Sequence, residues 1–336
     1  MRIQRLAKEN QSMQGLGKRA WYQRHSPGHL EAIEALVMAA LETQPQPIGR
    51  VAILGAGACT ELPLEEMARR VEEVALVDLD EFALQQARRR LNTALQGRVR
   101  LVIADVTGGV SVSLERALMG QRWQALKAQG ADAVLSAVAG CLDRCEVPQP
   151  PELGELRAGR CGVVISSLVV TQLWSYPLLD VTDLLNTLDP ALAGQQHEHA
   201  ALGPAIERFK LRVARGHVLL LARLLRPSGR AARATNGSEN AEAQPRQAAL
   251  PGGVAVLIAE DEGRLTPQQG QEALGLDAPA PLALLPDGFD GLVEELFTRA
   301  EPARGWEWIS DWPSAVRAGR TYHVRGYVLK PRQAGG

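Results

Sequence analysis

The sequence predicts an α/β fold: a mostly parallel sheet with helices on both faces and an antiparallel pair of strands at its C-terminal edge. Three observations carry this. From Arg50 onward, short apolar runs bounded by glycine or acid alternate with longer amphipathic stretches, the signature of βαβ units. The first three runs are almost continuously apolar, as strands are when helices cover both faces. Two runs near the end, WEWISDW and YHVRGYVLK, are placed to close the sheet as a hairpin.

The elements follow in order. Residues 1–49 form an N-terminal helical extension: a polar stretch closes with Trp21, Tyr22 and His25, and Ser26-Pro27 reads as an N-cap followed by a first-turn proline. A helix over about 27–43 places Leu30, Ile33, Leu36, Val37 and Leu41 on one face, and Pro45 and Pro47 stop it. VAILGAG (51–57) is the first strand and its turn, and Thr60–Arg70 opens a helix with Pro63 in its first turn. VEEVALVDLD (71–80) holds the second strand. Phe82, Leu84, Ala87, Leu91 and Leu95 mark one helix ended by Gly97, and VRLVIADV (99–106) is the third strand.

Reading ADAVLSAV (131–138) as a strand would require a crossover through Pro148, Pro150 and Pro151, which forbid a regular helix. CGVVISSLVV (161–170) is therefore the fourth strand, and 107–160 an enlarged connection. A long helix over about 204–225 follows. Residues 228–252 lack periodicity and read as a surface loop. GVAVLIAED (253–261) is the fifth strand, and a helix near 289–299 precedes the closing pair. Residues 50–336 thus read as one domain with insertions at about 107–160 and 228–252.

Thirty-seven basic and 38 acidic residues leave a net charge of -1, so no global electrostatic footprint points to nucleic acid or an anionic membrane. The first residues are basic without an apolar core, and no window reaches a membrane span, so a cytoplasmic protein is expected. Cys59, Cys141, Cys145 and Cys161 do not form a disulfide framework for 336 residues. Cys141-x3-Cys145, with Cys161 and His197-x-His199, lacks the short C-x2-C pairs of structural zinc, so no metal is expected. Trp306, Trp308 and Trp312 share one strand face, where burial is the default and a stacking wall the alternative. Arg88-Arg89-Arg90 reads as a solvated helix face.

The chemistry lies in Gly55-Ala56-Gly57-Ala58-Cys59, a glycine-rich turn between a strand and a helix, with Asp78 closing the next strand about 20 residues on. Glycines let backbone approach a nucleotide, and Asp78 is placed to accept hydrogen bonds from ribose hydroxyls. The dinucleotide fingerprint needs a third small residue where this chain has Thr60, and Glu61 stands near the amides a pyrophosphate would use. A carboxylate there repels phosphate and tolerates a zwitterionic amino acid, which points to adenosine carrying an amino-acid tail.

On these residues the sequence resembles the class I S-adenosylmethionine-dependent methyltransferases. VAILGAGACTELPLEEMA resembles that family's first motif, VALVDLDEFALQQA its second-strand acid motif, VRLVIADV its third and VVISSLVVTQL its fourth. The resemblance covers roughly 50–260 and implies a Rossmann-like fold, methyl transfer and S-adenosyl-L-methionine as cofactor. It implies cofactor-binding roles for Gly55, Ala56, Gly57, Asp78, Leu79, Asp105, Val106 and Ser166, with Asp105 and Val106 by the adenine amino group. Ser166, Ser167 and Leu168 would line the methyl-transfer mouth. The chain departs from the family in the long connection after Asp105, and the fourth strand lacks the Asn/Asp-Pro-Pro-Tyr/Phe motif of enzymes that methylate base amino groups.

The acceptor is unidentified, with a small metabolite favoured over protein or RNA because the net charge is near neutral. The sequence singles out no catalytic residue and sets no oligomeric state. Tyr22, His25, Tyr176, His197 and His199 are candidates for substrate contact. Aminopropyl transfer on the same fold is disfavoured, because SSLVVTQL supplies no acids to hold a polyamine. Two other readings stand beside methyl transfer: a non-catalytic scaffold, whose pocket Trp174 or Tyr176 could fill, and an NAD-dependent oxidoreductase.

Overall fold

The computed structural model describes residues 19–154, 156–225, 227, 252–266, 282–311 and 319–332. After helical backbone over 19–25, the elements are α1 (Pro27–Glu42), β1 (Ile48–Leu54), α2 (Leu64–Arg70), β2 (Val71–Asp78), α3 (Glu81–Arg89), α4 (Thr93–Gln96) and β3 (Val99–Ile103). The long connection holds α5 (Val110–Met119), α6 (Trp123–Gln129) and α7 (Ala131–Arg144). Then come β4 (Val163–Ser167), α8 (Gln172–Leu188), α9 (Pro190–Gln195), α10 (Leu202–Leu224), β5 (Val254–Thr266) and β6 (Leu282–Ala283). The chain closes with α11 (Phe289–Leu296), β7 (Phe297–Arg299), β8 (Arg304–Asp311) and β9 (Gly319–Pro331).

One sheet runs in the order β3-β2-β1-β4-β5-β9-β7, with β6 also on β5 and β8 also on β9. The first five strands are parallel, in registers such as Val51 to Val74, Val51 to Val163 and Val163 to Val254. β9 is antiparallel to β5, and both β7 and β8 pair antiparallel with the far side of β9. This is the Rossmann-like architecture with an antiparallel C-terminal edge that the sequence predicts. The chain builds outward from β1 to β3 and then returns to lay β4 on the other side of β1. A crevice therefore opens at the carboxyl ends of β1 and β4, where open α/β sheets bind ligands.

Alternation along the strands divides the interior into two cores. Ala52 and Leu54 of β1 join Val77, Val164 and Leu257 under α5, α7, α8 and α10. Val51 and Ile53 point the other way, to Val74, Leu76, Ile165 and Val256 under α1, α2 and α3. Ile33, Leu36, Val37, Ala40 and Leu41 bring α1 fully into this second core, at the spacing the sequence predicts. Truncating a residue as enclosed as Ile53 to alanine costs about 2–5 kcal/mol in lost transfer energy and cavity.

Several elements differ from expectation for local reasons. Ser26 does not cap α1; its hydroxyl donates to Ile309 O of β8 at 3.0 Å, tying the helix start to the sheet edge. α2 begins at Leu64, one residue after Pro63. The helix expected through Leu95 breaks in two because Asn92 Oδ1 accepts from Leu95 N and starts α4 afresh. The segment expected as a helix to 299 turns extended at Phe297, which pairs with Pro331 as β7. Residues 172–195 add α8 and α9, which the polar spacing does not announce. The connection 107–160 does precede β4, with 131–138 helical. Residues 1–18, Trp312 and the loop expected over 228–252, apart from Gly252, lie outside the described residues.

Candidate functional site: a cleft at the carboxyl ends of the strands

The turn after β1 is built by backbone geometry that only glycine adopts freely. Gly55 has φ +64° and Gly57 φ +47°. At Gly55 a side chain is excluded twice over, since a Cβ there would lie 2.3 Å from Val169 Cγ2. Ala56 N donates to Val77 O at 3.0 Å, and Gly57 N donates to Asp78 Oδ2 at 2.8 Å, so the turn is strapped to the end of β2. Asp78 Oδ1 also accepts from Asp80 N at 2.9 Å. Burial pushes the Asp78 carboxyl above its usual range, and these N–H donors oppose the shift.

The outer side of the turn is held by two arginines. Arg19 donates to Thr60 O at 3.0 Å and Leu62 O at 3.2 Å. Arg90 donates to Ala58 O and to Cys59 O, so the expectation that all three residues of the arginine run are merely solvated fails at Arg90. The reason is that α3 ends at Arg89, and the next guanidinium swings back over the loop. Cys59 is buried, which pushes its thiol up to about 12, so it packs as a neutral group.

Beyond the turn lies a cavity of about 240 Å³. Its walls are Gly55–Ala58 with Thr60 and Glu61, Asp78 and Leu79, Ala104–Thr107 with Ser111, Ser167–Val169, one face of α8 (Gln172, Leu173, Tyr176, Pro177), and the aromatic pair Tyr22 and Trp308. Every charged residue among these is an acid: Glu61, Asp78 and Asp105. Asp105 is organised within its own turn, accepting from Thr107 N at 2.8 Å, Thr107 Oγ1 at 2.7 Å and Gly109 N at 3.1 Å. Outside this lining, buried Glu260 accepts from Thr171 Oγ1 at 2.7 Å, and burial pushes its carboxyl up to about 7.

Gly55, Ala56, Gly57, Asp78, Leu79, Asp105 and Val106 all line this cavity. Ser166 does not. It is fully buried with its hydroxyl 2.8 Å from His217 Nε2 on α10, because alternation along β4 sends its side chain to the opposite face. The cleft side is taken by Ser167 and by Leu168, whose φ of +55° turns the chain over the crevice while its N–H donates to Ile258 O at 2.9 Å. Of the candidates for substrate contact, Tyr22 and Tyr176 are in the wall. His25 packs on Trp21, His199 Nε2 lies 2.9 Å from Asp132 Oδ1, and neither they nor His197 line the cavity. Trp174 of α8 is buried in the core and does not line the cavity.

Trp308 is both buried and a wall residue. Its ring stacks on His29 at 4.6 Å between centroids and meets Tyr22 edge-on at 5.7 Å. Burial holds His29 neutral, its pKa down to about 3, while its Nδ1 accepts from Trp306 Nε1 at 2.9 Å. Sequence reasoning missed Glu260, which only ends an apolar run, and Thr107, whose place two residues after Asp105 is a turn signal in hindsight. Among the described residues no group of three or more His, Cys, Asp or Glu side chains could hold a metal ion, and no helix is long and apolar enough to cross a membrane.

No protein-family model matches the chain, and no curated protein matches it. Among solved structures the chain is similar to the N-methyltransferase NodS from Bradyrhizobium japonicum WM9 in complex with S-adenosyl-L-homocysteine, at 10% identity and a TM-score of 0.34 over 94% of this chain and 98% of that one. It is similar to CrArsM, an arsenic(III) S-adenosylmethionine methyltransferase from Chlamydomonas reinhardtii, at 14% identity and a TM-score of 0.34 over 90% and 75% of the two chains. It is also similar to DhpI in its complex with SAH, at 12% identity and a TM-score of 0.33 over 95% of each chain.

Proposed function

We propose that the protein transfers a methyl group from S-adenosyl-L-methionine, held in the cleft, to an acceptor that is a small metabolite. The observation that carries this is the charge of the wall. A glycine turn of nucleotide-binding form opens onto a cavity whose charged lining, among the described residues, is wholly acidic. A dinucleotide would set two phosphates against Glu61 with no cation to meet them, whereas a sulfonium cation with an ammonium tail finds complementary charge. This disfavours the NAD reading.

The residues present fit such a cofactor. Asp78 Oδ2 accepts from Gly57 N and Oδ1 from Asp80 N, and the four lone pairs of the carboxylate leave capacity for a ribose hydroxyl. Leu79 and Val106 offer apolar surface to a base, Asp105 Oδ2 retains acceptor capacity beside it, and the Gly55–Gly57 backbone allows close approach of the amino-acid tail. The bound cofactor supplies an activated methyl group on a sulfonium that leaves as a neutral thioether. The protein contributes position and dryness: Leu168, Val169 and Leu173 exclude water from the mouth, and an in-line substitution gains most of its rate from alignment. No nucleophile from the chain is required.

A scaffold role is disfavoured by the open cavity, which neither Trp174 nor Tyr176 fills. Calorimetric titration with S-adenosylhomocysteine, and with NAD in parallel, tests the proposal. Binding of S-adenosylhomocysteine alone, followed by turnover of radiolabelled methyl donor with an acceptor panel, is the expected result. Binding of NAD alone, or of neither ligand, would overturn it.

A further inference from the structure

The sheet order separates the cleft into two ends. Asp78 and Asp105 follow β2 and β3 on one side, whereas Trp308 is carried on β8 at the other, beyond β5 and β9. The second end has its own chemistry. Tyr22 and Trp308, edge-on at 5.7 Å between centroids, form an aromatic wall. Glu61 stands beside it, because Arg19, one helical turn before Tyr22, bonds the carbonyls of Thr60 and Leu62 on either side of Glu61. Glu61 in turn acts electrostatically on the buried Glu260. The Arg19 guanidinium is engaged with those two carbonyls, and no described Lys, Arg or His lines this end.

Ser167 and Trp308 are wall residues whose Oγ and Nε1 atoms are buried without a hydrogen-bond partner among the described residues. Trp308 is 7% exposed, so its indole N–H is a desolvated donor with no acceptor among those residues.

Resting on the methyl-transfer reading, we propose that the acceptor is an amine, held at the Tyr22–Trp308 end of the cleft and selected over anionic acceptors by Glu61. Aromatic faces attract a cationic amine, and a carboxylate beside them reinforces the choice. The bound ammonium first gives one proton to water; the freed lone pair forms the N–C bond as the C–S bond breaks, sulfur keeps that electron pair, and the methylated nitrogen is left as an ammonium that re-equilibrates its proton with water. Carboxylate, phosphate and nucleic-acid acceptors meet only like charge at this end.

The test uses the whole protein saturated with S-adenosylhomocysteine and a pair of probes matched in size and ring, 2-phenylethylamine and 3-phenylpropanoate, titrated near neutral pH. The amine is expected to bind about tenfold tighter than the carboxylate, and Glu61→Gln to remove most of that preference. Equal binding, tighter binding of the carboxylate, or binding of neither overturns the proposal, and the wild-type comparison decides this without the variant. S-adenosylhomocysteine is titrated first on both proteins. If it binds the wild-type protein and the amine preference is absent, only the acceptor class falls; if it does not bind the wild-type protein, the methyl-transfer reading falls and this inference with it.

Discussion

The backbone N–H of Gly57 donates to Asp78 Oδ2 at 2.8 Å, so the acid that ends β2 fixes the turn that ends β1 while it faces the cleft. Asp78 therefore has two jobs, and its removal both frees the turn and deletes an acceptor. Asp78→Ala is expected to weaken S-adenosylhomocysteine binding by about 1.5–3 kcal/mol, the usual loss for a charged hydrogen-bond partner. Calorimetry reads this directly, and unchanged affinity would remove Asp78 from the binding site.

The approach of Val169 to Gly55 predicts a paired effect. Gly55→Ala places a methyl group into Val169 at a left-handed φ, so it should destabilise the fold by more than about 1 kcal/mol. Adding Val169→Ala removes the 2.3 Å contact with Cγ2 but leaves the 2.7 Å contact with Cβ and the backbone strain. The double variant should thus recover part of the lost denaturation midpoint; no recovery would place the whole cost in the backbone and the Cβ contact.

Ser166 and His217 separate stability from binding. Burial keeps His217 neutral, with its pKa down to about 4, and Ser166 Oγ is the hydrogen-bond partner of its Nε2, while Nδ1 has none among the described residues. Ser166→Ala leaves the imidazole wholly unsatisfied in the core, which costs about 1–3 kcal/mol of folding stability. Affinity for S-adenosylhomocysteine should stay within about twofold of wild type. A large loss of affinity with stability intact would return Ser166 to the cleft.

Glu260 makes stability depend on pH. Its folded pKa of about 7 lies above the ordinary carboxylate value of 4.5, so the folded state holds the proton more tightly than the unfolded chain. Its favourable contribution is complete below the unfolded pKa and is lost as pH rises through about 7. Glu260→Gln keeps an oxygen for Thr171 and removes the ionisation. The variant should gain about 3 kcal/mol relative to wild type between mildly acidic and mildly alkaline pH, an order-of-magnitude figure from the shift. Denaturant melts of both proteins across that range check it, and parallel curves would show that Glu260 ionises at no cost.

The parallel half of the fold is legible in the sequence because each strand is an apolar run between glycine or acid, and the glycine turn and Asp78 lie where spacing puts them. Residue direction is harder to read. Ser166 and Ser167 are adjacent and chemically identical, and only the register of β4 against β1 and β5 decides which faces the cleft. Arg90 looks like its two neighbours until α3 ends beneath it. Trp308 reads as a core residue and is one, but the ring it meets in the cavity wall is Tyr22, from the other end of the chain. Local periodicity carries no information about such a meeting. α8 is similarly hidden, since Pro177 sits inside it and polar residues interrupt its apolar face.

β9 pairs with β5 on one side and holds β8, and hence Trp308, on the other. During synthesis the glycine turn and Asp78 emerge early, but Trp308 has no sheet to lie on until β9 has left the ribosome. A ligand that needs the Tyr22–Trp308 wall therefore stabilises finished chains and gives little to truncated ones, so ligand occupancy would shield complete copies from proteolysis while leaving fragments exposed.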